Sequence, residues 1–397
     1  MNMEELFSGV AVVIDDEVNN SSANITNIVN QIESKSIPVL KYTSLPGDSI
    51  INHFQNLSFL LLDWRLIKDE ITDAEIENGI IMPDTLLEDD AKENVEFIKK
   101  LNEKCFCPIF IFTNEDTSAI ETRLIEEGIL CDRHSNVFIK SKNELKGKSK
   151  LFKLVKNWLQ QNSSIYVFKE WEREYQNAKN KLFSEFQKKS PVWPKILWKN
   201  YKEDNINPSL GLGEFISRNL HTRMAPFQFS ETVLNKPGRK ICPNELQSVI
   251  EGEVFITILD ENNIASGDIF KISSDYYINI RANCDVIPGR SGQSIDDIDL
   301  YLIKGSKVSV TRGKKTFNKE YGKFTENDTH SIVFPINKGE IVDFRFKKLE
   351  IKKWTDVKNN RIGRLLPPYI NRIQQRYALY MHRQGVPRIP DKAIFDK

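Results

Sequence analysis

Four strand-like segments near the start of the chain each end in a side chain that can do chemistry. In chain order these side chains are Asp15 with Asp16, Asp63, Thr113 and Lys140, which follow the apolar runs 11–14, 59–62, 109–112 and 137–139. A single carboxylate after an apolar run is a common turn signal, so Asp63 alone would indicate a turn. Three carboxylates, a hydroxyl and an amine at four strand ends instead suit a pocket for a hard cation and an anionic ligand.

These side chains meet only if the segments form one parallel sheet. Apolar runs alternate with amphipathic stretches through residues 7–160, which predicts five strand–helix units with right-handed crossovers and helices on both faces of a doubly wound sheet. The predicted strands are 10–14, 37–42, 58–63, 108–113 and 136–140, and the predicted helices are 20–34, 46–54, 91–104, 116–128 and 142–160. Open α/β sheets bind ligands beyond the C-terminal ends of their strands, which is where Asp63 would lie.

The order of these groups over about the first 160 residues resembles the receiver domain of two-component response regulators. The resemblance implies a flavodoxin-like, five-stranded domain in which Asp63 accepts a phosphoryl group from a histidine kinase. The other implied roles are Mg²⁺ binding by Asp15, Asp16, Asp63 and the backbone carbonyl of Arg65, and contacts to the phosphoryl oxygens from Thr113 and Lys140. These residue types suit the implied roles. Carboxylates are hard oxygen ligands for Mg²⁺, and the metal and a lysine neutralise the negative charge of a transferring phosphoryl group.

The segment between Arg65 and the predicted helix 91–104 is strongly acidic. Residues 67–90 carry nine Asp and Glu side chains and would lie beside the phosphoacceptor. Loops of this length are usually functional or disordered. One interpretation is a lid that selects the kinase or reports the phosphate, and the other is a solvated loop.

Composition places the chain among soluble globular proteins of two or three domains, since 397 residues can bury sizeable cores. The five cysteines are few and poorly spaced for a zinc site, which predicts reduced thiols in the cytoplasm. No apolar run reaches membrane-spanning length, and the N-terminus is acidic rather than signal-like, so no membrane association is expected.

Charge is distributed unevenly along the chain. Residues 1–150 carry 15 basic and 27 acidic side chains, a net of −12, whereas residues 301–397 carry 22 and 9, a net of +13. A basic tail can bind a polyanion, attract the acidic head within or between molecules, or simply form a solvated face. All three interpretations stay open at this stage.

Three domains are predicted: 1–160 as the receiver-like domain, 161–250 as a helical linker or subdomain, and 251–397 as a β-rich output domain. Short β-branched and aromatic runs from residue 252 onward, separated by Gly, Asn and Asp, are typical of a small antiparallel barrel or sandwich. A basic terminal helix is predicted over 362–384. Its arginines, which could bind a polyanion or form a protein interface, are Arg364, Arg372, Arg376 and Arg383.

The combined expectation is an atypical response regulator, in which phosphorylation of Asp63 controls a C-terminal interaction or effector module, and which is not itself an enzyme. An architectural analogy suggests a prokaryotic defence system. Two alternatives stay open: a receiver-regulated effector that binds nucleic acid or resembles a ribonuclease, and a scaffold that does not use phosphate. Expected partners are a histidine kinase, with a homodimer, a protein effector and nucleic acid as further candidates.

Overall fold

The computed structural model of the chain describes residues 6–21, 24–66, 84–130, 135–145, 150–224, 226–236, 240–257, 259–260, 263–287, 294–385, 389–390 and 393. Within residues 84–130, side chains are described from residue 88 onward. The chain divides into two compact units. The first contains residues 1–189 and 218–237, and the second contains residues 190–217 and 238–397. Most of the acidic segment 67–90 and Cys131 lie outside the described residues.

The first unit is built on a five-stranded, all-parallel sheet. Its strands are β1 (Val10–Ile14), β2 (Val39–Tyr42), β3 (Leu57–Leu62), β4 (Ile109–Thr113) and β5 (Val137–Ser141). They lie in the order β2-β1-β3-β4-β5, which is compatible with a flavodoxin-like, doubly wound arrangement. The parallel α/β architecture predicted from the alternating pattern is therefore present. The central strand β3 is buried along its whole length, as its continuous apolar run requires.

Helices lie between these strands and after the last of them, and they pack against the sheet. They are α1 (Asn24–Glu33), α2 (Asp48–Ile51), α3 (Asp84–Lys104), α4 (Thr117–Glu126), α5 (Lys150–Leu159), α6 (Ser163–Lys189) and, in a separate part of the chain, α9 (Glu231–Leu234). One core joins α1 and α5 to alternate residues of β1 and β3, and the other joins α3 and α4 to the opposite faces of those strands. Side chains alternate across a strand, so a single apolar run supplies both cores.

Two predicted helical regions differ from the observed ones. The stretch 142–160 begins as a 3₁₀ turn at Lys142–Leu145, and α5 follows only at residue 150. The stretch 161–250, expected as one linker or subdomain, is shared between the two units. Its remaining helices are α7 (Trp193–Glu203), α8 (Pro208–Met224) and α10 (Pro243–Val254).

The second unit contains a seven-stranded antiparallel sheet that is nearly closed. In the order β12-β13-β9-β8-β7-β14-β6, its strands are His330–Ile336, Glu340–Lys353, Asp299–Lys307, Asp275–Asn279, Asp268–Ile272, Arg361–Leu365 and Phe255–Ile256. A separate two-stranded ribbon pairs β10 (Phe317–Asn318) with β11 (Lys323–Phe324). Two further helices are α11 (Val310–Thr316) and α12 (Trp354–Val357). The predicted antiparallel, barrel-like character is observed.

The predicted terminal helix 362–384 is corrected by the structure. Residues Arg361–Leu365 form strand β14, and the helix α13 spans Tyr369–His382. Gly363 allows close packing here, since a Cβ at this position would lie 2.3 Å from the Ile256 carbonyl oxygen. Pro367 and Pro368 lack amide hydrogens and are tolerated only at a helix start, so α13 begins after them. Among the described residues, no helix has the length and apolar character needed to cross a bilayer.

Candidate functional site

The parallel register brings Asp15 and Asp63 side by side at one edge of the first sheet. Ile14 pairs with Leu62 across β1 and β3, and the Asp63 amide donates to the Ile14 carbonyl oxygen at 2.8 Å. Each aspartate therefore follows the last residue of its strand at the same level. Ligand oxygens of Asp15, Asp16 and Asp63 all lie within 4.8 Å of one another. The structure thus brings together the three carboxylates that the sequence singled out.

A lysine completes this cluster, but it is Lys142 rather than Lys140. The Lys142 ammonium donates to Asp15 Oδ2 at 2.8 Å and to Asp63 Oδ2 at 2.5 Å, and its side chain is only 5% exposed. Lys140 instead pairs with Glu144 at 3.3 Å, and 34% of its side chain is exposed. The reason is the length of β5, which continues to Ser141. Lys140 is paired in register with Phe112, one position before the end of β4.

Burial changes the pKa of Asp63 within this cluster. Asp15 is fully buried and Asp63 is 6% exposed. Desolvation raises the pKa of Asp63 from 3.8 to about 7, although the Lys142 ammonium opposes this shift and the Asp15 carboxylate adds to it. Burial alone would lower the pKa of Lys142, but the carboxylates of Asp63 and Asp15 raise it instead. Lys142 therefore stays charged, while desolvation, with a smaller contribution from the neighbouring carboxylates, raises the proton affinity of Asp63.

Thr113 and Arg65 lie at the rim of the same pocket. Thr113 is buried at the end of β4, and its hydroxyl oxygen accepts a bond from the Glu115 amide at 3.1 Å. The Arg65 guanidinium contacts Glu115 Oε1 at 3.2 Å, and its amide lies 3.4 Å from Asp63 Oδ1. Together with Asp63 and Lys142 these residues line a cavity of about 60 Å³. A cavity of this volume can hold a small inorganic ion but not an extended organic ligand.

The donor set fits a hard divalent cation. Three carboxylates offer oxygen ligands only, which is the chemistry that Mg²⁺ prefers. Their oxygens are close enough to share one ion, and a bound cation would offset the repulsion between the carboxylates. Asp15, Asp16 and Asp63 would hold such an ion. The predicted use of the Arg65 carbonyl as a further ligand stays a prediction.

The arginines predicted to bind a polyanion are mostly held within the second unit. Arg364 Nε donates to Asp268 Oδ1 at 2.6 Å, and Asp268 is fully buried. Arg372 and Arg376 both pair with the buried carboxylate of Glu326, and Arg376 also donates to the Asn327 carbonyl oxygen. Arg383 lies over the Tyr380 ring at 4.2 Å. Three of the four arginines thus stabilise this unit and are not free to bind a ligand through their full donor set.

Sequence reasoning missed Lys142 and the buried carboxylates that pair with these arginines. The segment Lys140-Ser141-Lys142 offered two lysines at a strand end, and only the length of β5 decides between them. For Asp268 and Glu326, no local pattern indicates a partner about 50 to 100 residues away. No protein-family model matches the chain, and no curated protein matches it significantly.

Proposed function

We propose that the first unit is a phosphoacceptor module of the response-regulator type, with Asp63 as the residue that receives the phosphoryl group. The observation that carries this proposal is the buried cluster of Asp15, Asp16, Asp63 and Lys142 at the C-terminal edge of a parallel sheet. Edges of this kind bind ligands in open α/β folds. The cluster combines a nucleophilic carboxylate, a cation site and a fixed ammonium within one small cavity.

The chemistry assigned to the residues is a single displacement at phosphorus. An oxygen of the Asp63 carboxylate attacks the phosphorus of a phosphohistidine, the P–N bond breaks, and its electron pair returns to the imidazole of the donor. Lys142 is positioned to exchange its bond to Asp63 for one to a phosphoryl oxygen, and the Thr113 hydroxyl can donate to another. Bound Mg²⁺ would neutralise negative charge on the transferred group. The protein's contribution is positioning and charge compensation around a buried carboxylate.

Phosphorylation would alter the balance of charge in the pocket. An aspartyl phosphate carries about two negative charges where the carboxylate carried one, and Lys142 is the one buried cation among the contacting side chains described here. Lys142, Thr113 and the Arg65–Glu115 pair line the cavity and would respond first. A signal results if the second unit or a partner binds one of the two charge states more tightly. The proposed setting is a phosphorelay with a histidine kinase as donor.

The proposal is tested by incubating the full chain with Mg²⁺ and acetyl phosphate and measuring the intact mass. The wild type should gain one phosphoryl group, and Asp63→Asn should gain none. Glu33→Gln, which removes an exposed carboxylate of the same unit, is the matched control and should react like the wild type. An unmodified wild type, with Mg²⁺ present and the protein folded, would favour a scaffold that does not use phosphate.

A further inference from the structure

The second unit carries an exposed segment in which lysines and aromatic rings are interleaved. This basic segment, residues 310–324, comprises α11 and the β10–β11 ribbon. It contains five Lys or Arg residues and one acidic residue, Glu320. Arg312 is paired with the buried Asp343 at 3.1 Å. Its four lysines, which are all exposed and form no ion pair within the described part of the chain, are Lys314, Lys315, Lys319 and Lys323.

Aromatic side chains of the basic segment are exposed beside these lysines. Tyr321 is 64% exposed and Phe317 is 40% exposed. The Phe317 ring meets Phe324 edge-on, with centroids 5.3 Å apart, and Phe324 in turn contacts Phe334 of β12. The ribbon is therefore anchored to the main sheet at one end, while Tyr321 stands at its tip. An exposed tyrosine with no core role is unusual, because large aromatic rings gain most from burial.

The tip of the ribbon is held in one conformation. The Asn318 side-chain oxygen accepts from the amides of Glu320 at 3.0 Å and Tyr321 at 3.2 Å, and Gly322 adopts a positive φ of 59°. The Thr325 amide donates to the Thr316 carbonyl oxygen at 2.7 Å and closes the base of the ribbon. Binding through Tyr321 would thus cost little backbone entropy, since the turn is already formed.

We infer that the basic segment binds single-stranded nucleic acid, with its lysines on the phosphates and Tyr321 stacked on a base. Ammonium groups supply the charge complementarity, and every unpaired base offers a face on which an aromatic ring can stack. A duplex hides those faces, which is why a single strand fits this surface better. The inference is independent of phosphorylation at Asp63. It also assigns the role to residues other than the arginines of α13 and β14, which are held by carboxylates and backbone oxygens.

The test is fluorescence anisotropy of the full chain with labelled oligouridylate and oligothymidylate across a series of salt concentrations. Lys314→Gln/Lys315→Gln should weaken binding and reduce the slope of log K against log salt by about 0.7 for each lysine removed. Tyr321→Ala should weaken binding about tenfold, and Tyr321→Trp should retain it. Lys195→Gln/Lys202→Gln removes the same charge from α7 of this unit and should bind like the wild type.

Three results would overturn the inference. The first is no binding by a wild type whose thermal unfolding shows it to be folded. The second is equal weakening by the α7 control pair, which would indicate non-specific attraction to net charge. The third is tight binding to heparin or polyglutamate with no loss in Tyr321→Ala, which would identify a general polyanion surface or an acidic protein partner instead.

Discussion

The Lys142 ammonium lies 2.5 Å from Asp63 Oδ2, although 79 residues separate the two in the chain. The same ammonium lies 2.8 Å from Asp15 Oδ2, and Asp15 follows β1, a third strand of the sheet. The buried ammonium lies between two carboxylates and compensates their negative charge, which would be costly to bury without a partner. This contact connects the fold to the proposed chemistry, because the cation that stabilises the pocket before phosphorylation is the one available to the phosphoryl group afterwards.

Replacing Lys142 should impair phosphorylation far more than replacing Lys140. Lys142→Met removes the only lysine that contacts Asp63 among the described residues, and we expect the rate of phosphoryl uptake to fall at least tenfold, as for loss of one charge-stabilising group. Lys140→Met removes a partly exposed partner of Glu144 and should react like the wild type. The measurement is the time course of intact mass with acetyl phosphate and Mg²⁺. Equal rates in the two variants would contradict the role given to Lys142.

The choice between Lys140 and Lys142 shows a limit of what the sequence alone can predict. Apolar runs of 4 or 5 residues locate β1, β3 and β4 well, because buried parallel strands are continuous in hydrophobicity. They place Asp15, Asp63 and Thr113 at strand ends for the same reason. β5 has no such sharp end, since Lys140 and Ser141 are still paired with β4. Which of two nearby lysines reaches the carboxylates depends on hydrogen-bond register, which local composition does not reveal.

Asp63→Asn should increase stability in a pH-dependent way when no divalent cation is present. The pKa of Asp63 is raised from 3.8 to about 7, so between these values the folded state binds a proton that the unfolded state has released. The wild type therefore loses stability as pH rises through this window, and the asparagine variant does not. We expect the difference in free energy of unfolding to grow by about 2–4 kcal/mol from pH 5 to pH 8.

Urea denaturation in EDTA at several pH values measures this difference. Glu33→Gln, which changes a half-exposed carboxylate paired with Lys41, serves as the control and should track the wild type. A difference between Asp63→Asn and the wild type that stays constant from pH 5 to pH 8 would show that Asp63 titrates normally. Its burial would then not govern the electrostatics of the pocket.

Mg²⁺ should stabilise the first unit through the three carboxylates. A ligand at 100 times its dissociation constant stabilises the folded state by about 2.7 kcal/mol. We expect the Mg²⁺-dependent rise in melting temperature to be larger at pH 8 than at pH 6, since protons on Asp63 compete with the cation. Asp16→Asn should reduce it, and the effect is measured by differential scanning fluorimetry. An unchanged response in Asp16→Asn would exclude that residue from the cation site.

Arg364→Ala should destabilise the second unit by about 3 kcal/mol. The guanidinium bonds Asp268, whose carboxylate is fully buried, and breaking a buried ion pair leaves an uncompensated charge. Arg361, 3.6 Å from the same carboxylate, limits the loss. Arg383→Ala, which removes an exposed arginine next to Tyr380, should have almost no effect on thermal unfolding. Similar melting temperatures for both variants would contradict a structural role for Arg364.

The terminal region shows a second limit of sequence reasoning. A helical spacing is shared by Ile362, Leu365, Leu366, Tyr369 and Ile370, and it predicts a helix from residue 362. Strand pairing overrides this pattern, because β14 fits between β6 and β7 and Asp268 of β7 binds Arg364. Only residues 369–382 form a helix, and Ile370 and Ile373 of this helix are buried against the sheet. Where an apolar spacing fits either a helix or a strand, the partners from distant parts of the chain determine which one forms.

The central claim is that Asp63 itself carries the phosphoryl group, and site mapping tests it most directly. After incubation with acetyl phosphate and Mg²⁺, borohydride reduction converts an aspartyl phosphate to homoserine, which peptide mass spectrometry locates. We expect homoserine at position 63 in the wild type, much less in Lys142→Met, and normal amounts in Lys140→Met. Homoserine at another aspartate, or at none while a folded protein and Mg²⁺ are present, would contradict the account.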